Sequence, residues 1–333
     1  MSHTPSSPLA APTPRTYLPP SCMPPTASSP PQQLVWLVFG ATGHLGRSIC
    51  RVALKRGDLV TAVGNRSVPG EEASMEGWHK NCQGLVCDVR VASTVKEVFE
   101  KSLECWGRVD RVVNCTGYGI IGACEDQDTH EIRAQFTTNT LGTLHILQST
   151  LPYLRSRPGG GGHYLLFSST AGTLGIPGLG PYCATKWAIE GLAESLMYEV
   201  EPLGIKVTIV IPGVSRRDEP DEALHGPAPM WGHFLLKPPE DAYRATSSPA
   251  QHATRMIDWL KYREPTSAVR CAEIVWELAH CVHPPLRLFI GNHAVEAIRD
   301  RLRSTIEEIE DWKHLNYANR DEDGDGNMGE GAE

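Results

Sequence analysis

The chain has 333 residues, of which 41% are hydrophobic and 21% are charged, and these proportions are typical of a folded globular protein. A formal net charge of −8 offers no basic surface for a nucleic-acid backbone or for anionic lipids, so we expect no nucleic-acid partner. No apolar run approaches the roughly twenty residues that a membrane span needs, so we expect no membrane span either.

The ten cysteines are scattered through predicted strands and helices, with no CxxC pair and no regular spacing. Disulfide frameworks and zinc sites both need such spacing, so we predict reduced thiols and a cytoplasmic protein. His280, Cys281 and His283 lie close together, but short clusters of this kind are usually incidental, and no metal site is expected.

Both ends of the chain differ in composition from the middle. Residues 1–33 are rich in proline and serine, and we predict a disordered tail because such a segment buries too little apolar surface to fold. Residues 317–333 are acidic and are predicted to form a second disordered tail. One domain is therefore expected over residues 34–316.

Within this domain, short apolar runs alternate with helix-length segments. The runs are LVWLVFG, DLVTAVG, LVCDV, VDRVVNCTG, HYLLFSS, KVTIVIPG and LRLFIG. Branched and aromatic runs of this length, separated by helices, indicate repeated βαβ units. We predict an α/β fold: a doubly wound, Rossmann-like parallel sheet of about seven strands with helices on both faces.

The first predicted strand ends in a turn with three glycines, Gly40, Gly43 and Gly46. Such glycines can allow a tight turn, a close approach of the backbone to a ligand, and packing of the next helix on the sheet. The helix N-terminus then offers amide hydrogens to a pyrophosphate. An ordinary strand–helix turn is the alternative interpretation, since one glycine-rich turn is weak evidence.

Three later residues predict an acid–base site. Tyr182 and Lys186 are four positions apart in a helical pattern and therefore share one face. An ammonium near a phenol lowers the pKa of the hydroxyl toward the range of a proton donor. Ser169 lies thirteen positions before Tyr182, at the end of the fifth predicted strand, where its hydroxyl can reach the same carbonyl oxygen.

The pattern breaks between residues 215 and 267, where prolines and large apolar residues accumulate. This segment follows the sixth predicted strand, whose carboxyl end lies where open α/β sheets bind ligands. We predict a substrate lid at about 215–267, with a self-packed surface loop as the alternative. The predicted lid contacts to an apolar substrate are Met230, Trp231, Phe234 and Leu236.

Taken in order, these motifs resemble the short-chain dehydrogenase/reductase family over about residues 34–213. The resemblance rests on the glycine turn, CDV with Asp88, VVNCTG with Asn114, TTNTLGT with Asn139, FSSTAG with Ser169, YCATK with Tyr182 and Lys186, and IPG.

The resemblance implies that Tyr182 gives a proton to a carbonyl in reduction and accepts one in oxidation. Lys186 would hold the nicotinamide ribose and lower the pKa of that tyrosine, and Ser169 would orient the substrate oxygen. Asn139 would bend its helix and hold a water in a proton relay. Dimers or tetramers through the helices that contain Asn139 and Tyr182 are also implied.

The family also implies a nicotinamide dinucleotide, with Asp88 at its adenine and Asn114 beside its ribose. The residues predicted to bind this cofactor are Gly40, Thr42, Gly43, Leu45, Gly46, Asn65, Arg66, Asp88, Asn114, Tyr182, Lys186, Val214 and Ser215. Gly64 ends the second predicted strand, at the position where a carboxylate would accept a hydrogen bond from a ribose 2′-hydroxyl. Arg66 follows two positions later. This pattern favours NADP(H) over NAD(H).

Two departures from the family pattern leave alternatives open. His44 stands where a glycine is usual, and Arg217 stands where a threonine commonly binds the nicotinamide carboxamide, a task that Ser215 could take over. We predict an NADP-dependent oxidoreductase that interconverts a carbonyl and a secondary alcohol on an apolar small molecule. The alternatives are a catalytically weak dinucleotide-binding regulatory protein and, because GxxGxxG resembles the extended branch of the family, an epimerase or dehydratase.

Overall fold

The computed structural model describes residues 31–65, 75, 77–157, 160–216, 230–231, 233–260 and 266–316. For residues 216, 230–231, 257–260 and 316 it describes the backbone alone. The predicted C-terminal tail and nearly all of the predicted N-terminal tail lie outside these ranges, and so do Arg66 and Arg217. The predictions made for them stay predictions.

Twelve strands are present in this part of the chain. In chain order they are β1 (Val35–Phe39), β2 (Leu59–Asn65), β3 (Cys82–Cys87), β4 (Arg111–Asn114), β5 (Gly119–Ile121), β6 (Gly162–Phe167), β7 (Ile205–Pro212), β8 (Ser215–Arg216), β9 (Met230–Trp231), β10 (Phe234–Leu236), β11 (Thr266–Ser267) and β12 (Arg287–Ile290).

Seven of these strands form the main sheet, in the order β12-β7-β6-β4-β1-β2-β3, and every neighbouring pair is parallel. They coincide with the seven apolar runs, so the predicted doubly wound sheet is confirmed. The strand order reverses between β1 and β4, which pair in register from Trp36 and Arg111. A reversal of this kind opens a crevice at the carboxyl ends of the strands, where the glycine turn lies.

Helices cover both faces of this sheet. In chain order they are α1 (His44–Lys55), α2 (Ala92–Trp106), α3 (Thr129–Phe136), α4 (Gly142–Ser156), α5 (Gly180–Val200), α6 (His252–Leu260), α7 (Ala268–Ala279) and α8 (Asn292–Trp312). One apolar core joins α1 and α7 to the sheet, and a second core joins α2, α4 and α5 to the opposite face. No helix within the described ranges is long and apolar enough to cross a membrane.

The predicted lid contains secondary structure that the sequence pattern did not indicate. Strand β10 pairs in parallel with β5, and β9 pairs antiparallel with β10. At the base of the segment, β8 pairs with β11 through Ser215 and Thr266, so its two ends meet. Strands of two or three residues are too short to produce a recognisable alternation, which is why the sequence predicted a loop here.

Candidate active site

The glycine turn lies at the carboxyl end of β1, and two of its glycines are required by the backbone. Gly40 has φ +79°, a conformation that side chains other than glycine rarely adopt, and its amide donates to Val63 O at 3.0 Å. A Cβ built on Gly46 would lie 2.2 Å from Gly40 O, so only glycine lets α1 pack this closely on the turn. Gly43 is exposed and precedes α1, with no side-chain cap and no acidic side chain in the first helical turn.

These features fit a bound pyrophosphate. An uncapped helix N-terminus presents amide hydrogens and the positive end of the helix dipole, and the absence of acidic residues in the first turn of α1 avoids repulsion. Thr42 lies within the turn, and Leu45 lies in the first turn of α1. The predicted residues of this segment therefore surround one helix end.

Tyr182, Lys186 and Ser169 are brought together between α5 and the end of β6. Tyr182 and Lys186 lie on the buried face of α5, with 3% and 4% of their surfaces exposed. The Lys186 ammonium donates to Phe167 O at 2.9 Å and lies 5.7 Å from the centroid of the Tyr182 ring. Ser169 follows β6 and lies close enough to Tyr182 to lower the pKa of its phenol. The predicted spacing thus gives one connected group of side chains.

Burial dominates the electrostatics of this group. It raises the pKa of Tyr182, and the hydrogen bond with Ser169 offsets this only in part. It also lowers the pKa of Lys186 to about 8, against the opposing effect of Cys115. We expected Lys186 to lower the pKa of the phenol, but the net shift has the opposite direction. The lysine hydrogen bond goes to Phe167 O, so the ammonium can stabilise a phenolate only through its charge and not through a hydrogen bond.

Asn139 lies in a π-helical turn, Thr137–Leu141, between α3 and α4. Its amide nitrogen donates to Tyr118 O at 2.8 Å and to Thr185 Oγ1 at 2.9 Å, and its oxygen accepts from the Tyr118 amide at 3.0 Å. The helix therefore departs from regular α geometry at this residue. The water that Asn139 would hold stays a prediction.

Asn114 and Asp88 are held by hydrogen bonds within the protein. Asn114 Nδ2 donates to Thr143 Oγ1 at 2.8 Å, which fixes its amide at the end of β4. The Asp88 carboxylate forms a salt bridge with Arg90, with Nη2 and Oδ2 2.6 Å apart. Asp88 follows β3 and Asn114 ends β4, and their predicted contacts with the cofactor stay predictions.

Val214 and Ser215 follow β7 on the same edge of the sheet. Val214 O accepts the Thr266 amide at 3.1 Å, and Ser215 Oγ lies 2.9 Å from Nε2 of His44. The histidine that replaces the usual glycine therefore connects α1 to the segment after β7. Asn65 is exposed at the end of β2.

The segment at β10 covers Tyr182. Phe234 packs edge-on against the Tyr182 ring, with 5.1 Å between the ring centroids, and Leu236 packs against the same small apolar cluster. A Cβ built on Gly119 would lie 2.7 Å from the Tyr182 ring and 2.8 Å from that of Phe234, so a glycine is needed between them. One of the four predicted lid residues, Phe234, thus contacts the tyrosine, and Leu236 packs against the cluster to which the tyrosine belongs. The side chains of the other two, Met230 and Trp231, are outside the described residues.

The sequence interpretation missed His233, which lies beside the Tyr182 hydroxyl. Its Nε2 is 3.3 Å from that oxygen, and its ring stacks on His44 with 6.5 Å between centroids. Burial lowers the pKa of His233 to about 3, and the nearby His44 and Lys186 act in the same direction. The imidazole is therefore neutral near pH 7. Only its position beside Phe234 in the apolar lid segment could have indicated it.

Comparisons with known proteins agree with this arrangement. The chain matches the family model described as short chain dehydrogenase over residues 34–220. It is similar to Oxidoreductase BOA17 of Botryotinia fuckeliana (strain B05.10), with 29% identity over 286 residues, 85% of this chain and 98% of that protein. A 3-ketodihydrosphingosine reductase of Bacteroides thetaiotaomicron is 33% identical over 182 residues, 55% of this chain and 64% of that protein.

A solved structure of a short-chain dehydrogenase from Streptomyces avermitilis superimposes with a TM-score of 0.74 at 29% identity, covering 86% of this chain and 99% of that one. The family model spans the glycine turn, the π-helical turn and the tyrosine helix. The similarity therefore includes each part of the candidate site up to Ser215.

Proposed function

This chain belongs to the short-chain dehydrogenase/reductase family and is an NAD(P)-dependent oxidoreductase, and from this premise we propose that it interconverts a carbonyl and a secondary alcohol on an apolar small molecule. The observation that carries the proposal is the connected group of Tyr182, Ser169 and Lys186 at the carboxyl edge of the sheet. A phenol, a second hydroxyl and a buried ammonium together can orient a carbonyl oxygen and protonate it.

The nicotinamide cofactor, when bound, supplies or accepts the hydride. The glycine turn Gly40–Gly46 and the N-terminus of α1 would hold its pyrophosphate. Lys186 would donate to the nicotinamide ribose, and Asn114, Val214 and Ser215 would line the remaining cleft. Asp88 would contact the adenine.

We propose NADP(H) as the preferred cofactor over NAD(H). Strand β2 ends in Gly64 and the exposed Asn65, so the described end of this strand carries no carboxylate that would repel a 2′-phosphate. Arg66 follows in the sequence and would supply a guanidinium for that phosphate.

In reduction, Tyr182 gives its proton to the carbonyl oxygen, and Ser169 donates a second hydrogen bond that fixes the oxygen in place. The raised pKa of Tyr182 keeps the phenol protonated before transfer. The Lys186 ammonium beneath the ring stabilises the phenolate that forms, since it lies 5.7 Å from the ring centroid. Asn139 holds the Tyr118 backbone beside this site.

The apolar substrate class is supported by the surroundings of Tyr182. Tyr182 shares an apolar cluster with Ile121 and Leu179, and Phe234 and Leu236 pack against this cluster. In this structure His233 takes the hydrogen-bonding position at the Tyr182 hydroxyl. A substrate oxygen must replace the imidazole, so the β10 segment moves when substrate binds. The relative named for 3-ketodihydrosphingosine reduction is consistent with a ketone substrate.

The contact of His233 with Tyr182 also favours the second candidate, a catalytically weak dinucleotide-binding protein. Fluorescence titration with NADPH and NADH, followed by turnover assays on a panel of apolar ketones, distinguishes the two. The proposed enzyme binds NADPH more tightly and reduces at least one ketone. Tight binding without any turnover supports the second candidate.

Tyr182→Phe tests the proton transfer directly. It removes the hydroxyl but keeps the ring, so we expect turnover to fall by on the order of 10² or more, with NADPH affinity nearly unchanged. Tyr164→Phe is the matched control, because it also removes a buried hydroxyl, which pairs with Thr150 at 2.8 Å away from the site. Turnover of the Tyr182 variant within a few-fold of wild type would contradict the role.

Phe234→Ala tests the recognition of an apolar substrate. Because Phe234 packs on the Tyr182 ring, we expect kcat/KM to fall by roughly tenfold or more for bulky apolar ketones and much less for small ones. Phe99→Ala is the matched control, since Phe99 makes the same edge-on contact with Tyr153 at 5.6 Å inside the distant core. Equal losses for both substrate sizes would contradict the proposal.

A further inference from the structure

Helix α8 continues beyond the body of the protein. Its buried side chains are Ala294 and Ile298, both in its first two turns. The later apolar side chains are exposed, by 55% at Leu302, 61% at Ile306 and 58% at Ile309. A helix that lies against its own domain would bury these residues.

The exposed residues form one continuous stripe, which we call the α8 stripe and define as Leu302, Ile306, Ile309 and Trp312. Their spacing of four, three and three positions keeps them on one face of the helix, in line with the buried Ile298. Trp312 is 61% exposed. Large contiguous apolar surfaces on a folded protein usually mark an interaction site.

Charge on the two sides of the stripe changes sign along the helix. Arg299, Arg301 and Arg303 lie in its first half together with Asp300, whereas Glu308 and Glu310 lie in its second half, before Lys313. An anionic membrane surface is a poor partner, because helices that bind such surfaces carry Lys and Arg along their polar face. The pattern instead fits a partner helix with the opposite order of charges.

A second copy of α8, running antiparallel, has this opposite order. Arg301 and Glu308 lie on one side of the stripe, with their charged atoms 4.0 Å apart. Arg299 and Glu310 are eleven positions apart, about three helical turns, and so share the other side. Both pairs have the same midpoint, between residues 304 and 305. A two-fold axis at this point sets each arginine opposite a glutamate of the other copy.

We propose that the α8 stripe is a self-complementary docking surface for a second copy of this chain, with the two helices antiparallel. Parallel pairing is excluded because it would place like charges opposite one another. The salt bridges within α8 from Arg301 to Glu308 and from Lys313 to Glu310 are exposed, so exchanging partners costs little. This surface is separate from the helices α4 and α5 and does not depend on the proposed reaction.

Charge reversal tests the proposal with the full-length chain, by sedimentation velocity over a range of concentrations. An acidic variant carries Arg299→Glu and Arg301→Glu, and a basic variant carries Glu308→Arg and Glu310→Arg. We expect wild type to self-associate, each variant alone to weaken this association by about tenfold or more, and an equimolar mixture of the two to restore it. If the chain also self-associates through other surfaces, loss of the α8 contact halves the mass of the assembly and does not give monomers.

The quadruple variant with all four reversals keeps the complementary order and is expected to associate like wild type, which guards against variants that merely misfold. Unchanged NADPH binding and helical circular dichroism verify that each variant is folded. The proposal is overturned if wild type does not associate through the α8 stripe. It is also overturned if the acidic and basic variants alone keep the mass of the wild-type assembly. Binding of wild type to phosphatidylcholine–phosphatidylserine vesicles that depends on Leu302 and Ile306 overturns it as well.

Discussion

At Lys186, burial favours the neutral amine, whereas the proposed function needs the protonated ammonium. The residue is 4% exposed on α5, and burial lowers its pKa to about 8, while Cys115 and Glu190 raise it. A lysine with this pKa changes its charge close to the pH at which enzymes work. Its two proposed tasks, holding a ribose and stabilising a phenolate, both need the protonated form.

We therefore expect NADPH affinity to decrease as the pH rises through about 8. The protonated Lys186 predominates below its pKa, so binding is tightest there, and it weakens above as the ammonium loses its proton. Fluorescence titration from about pH 6.5 to about pH 9.5 measures this profile, and a rise of the Kd by roughly tenfold is expected.

Lys186→Arg provides the matched control for that profile, because a guanidinium does not lose its proton in this range. We expect its affinity to be nearly independent of pH, and that of Lys186→Met to be weak and equally flat. A flat profile in wild type would contradict the proposed ribose contact.

At the scale of elements, the sequence predicts what is long and regularly patterned. The seven strands of the main sheet were recognisable because buried parallel strands are nearly continuous apolar runs. The pairing of β10 with β5 joins Phe234 to Gly119, far apart in the chain, through strands of only three residues. No local pattern specifies such a pairing, so the contact of His233 with Tyr182 could not be predicted. The π-helical turn at Asn139 was not predicted either, because the family resemblance implied only that Asn139 bends its helix and no local pattern indicates the turn.

The glycine turn gives a prediction at this scale. Gly46→Ala places a Cβ 2.2 Å from Gly40 O, and because that neighbour is backbone the turn must shift. We expect a loss of stability of about 1–3 kcal/mol and a marked loss of NADPH affinity. Thermal unfolding and fluorescence titration measure the two effects.

Gly191→Ala is its matched control, since Gly191 is also a helical glycine but a Cβ built on it meets nothing within 4 Å. Alanine is the better helix former, so we expect this variant to be neutral or up to about 1 kcal/mol more stable, with unchanged NADPH affinity. Gly46→Ala behaving like Gly191→Ala would show that the turn adapts and that its close packing is not required.

At the scale of the whole molecule, the sheet separates two apolar cores and shields the polar groups within it from solvent, so that Nδ1 of His163 has no hydrogen-bond partner among the described residues. His163 of β6 is fully buried, and its Nε2 lies 2.9 Å from Thr208 Oγ1 of β7. Burial lowers the pKa of this imidazole well below its ordinary value, and Arg111 and Lys206 act in the same direction. The folded protein therefore holds His163 neutral where an unfolded chain binds a proton.

This difference predicts that the protein loses stability in acid. Above a pH of about 6.5, His163 is neutral in the folded and the unfolded state, so its contribution to the free energy of unfolding is fully present. At lower pH the unfolded state binds a proton that the folded state does not bind. Each pH unit below that point lowers the free energy of unfolding by up to about 1.4 kcal/mol for this residue.

His163→Gln keeps a hydrogen-bonding side chain without a titratable group. We expect this variant to be less stable than wild type at neutral pH but to lose less stability on acidification. Denaturant unfolding at about pH 7.5 and about pH 5.5 measures the difference, with the exposed His130→Gln as the control that leaves the wild-type dependence unchanged. The same dependence on pH in wild type and in His163→Gln would show that this imidazole does not govern the acid sensitivity.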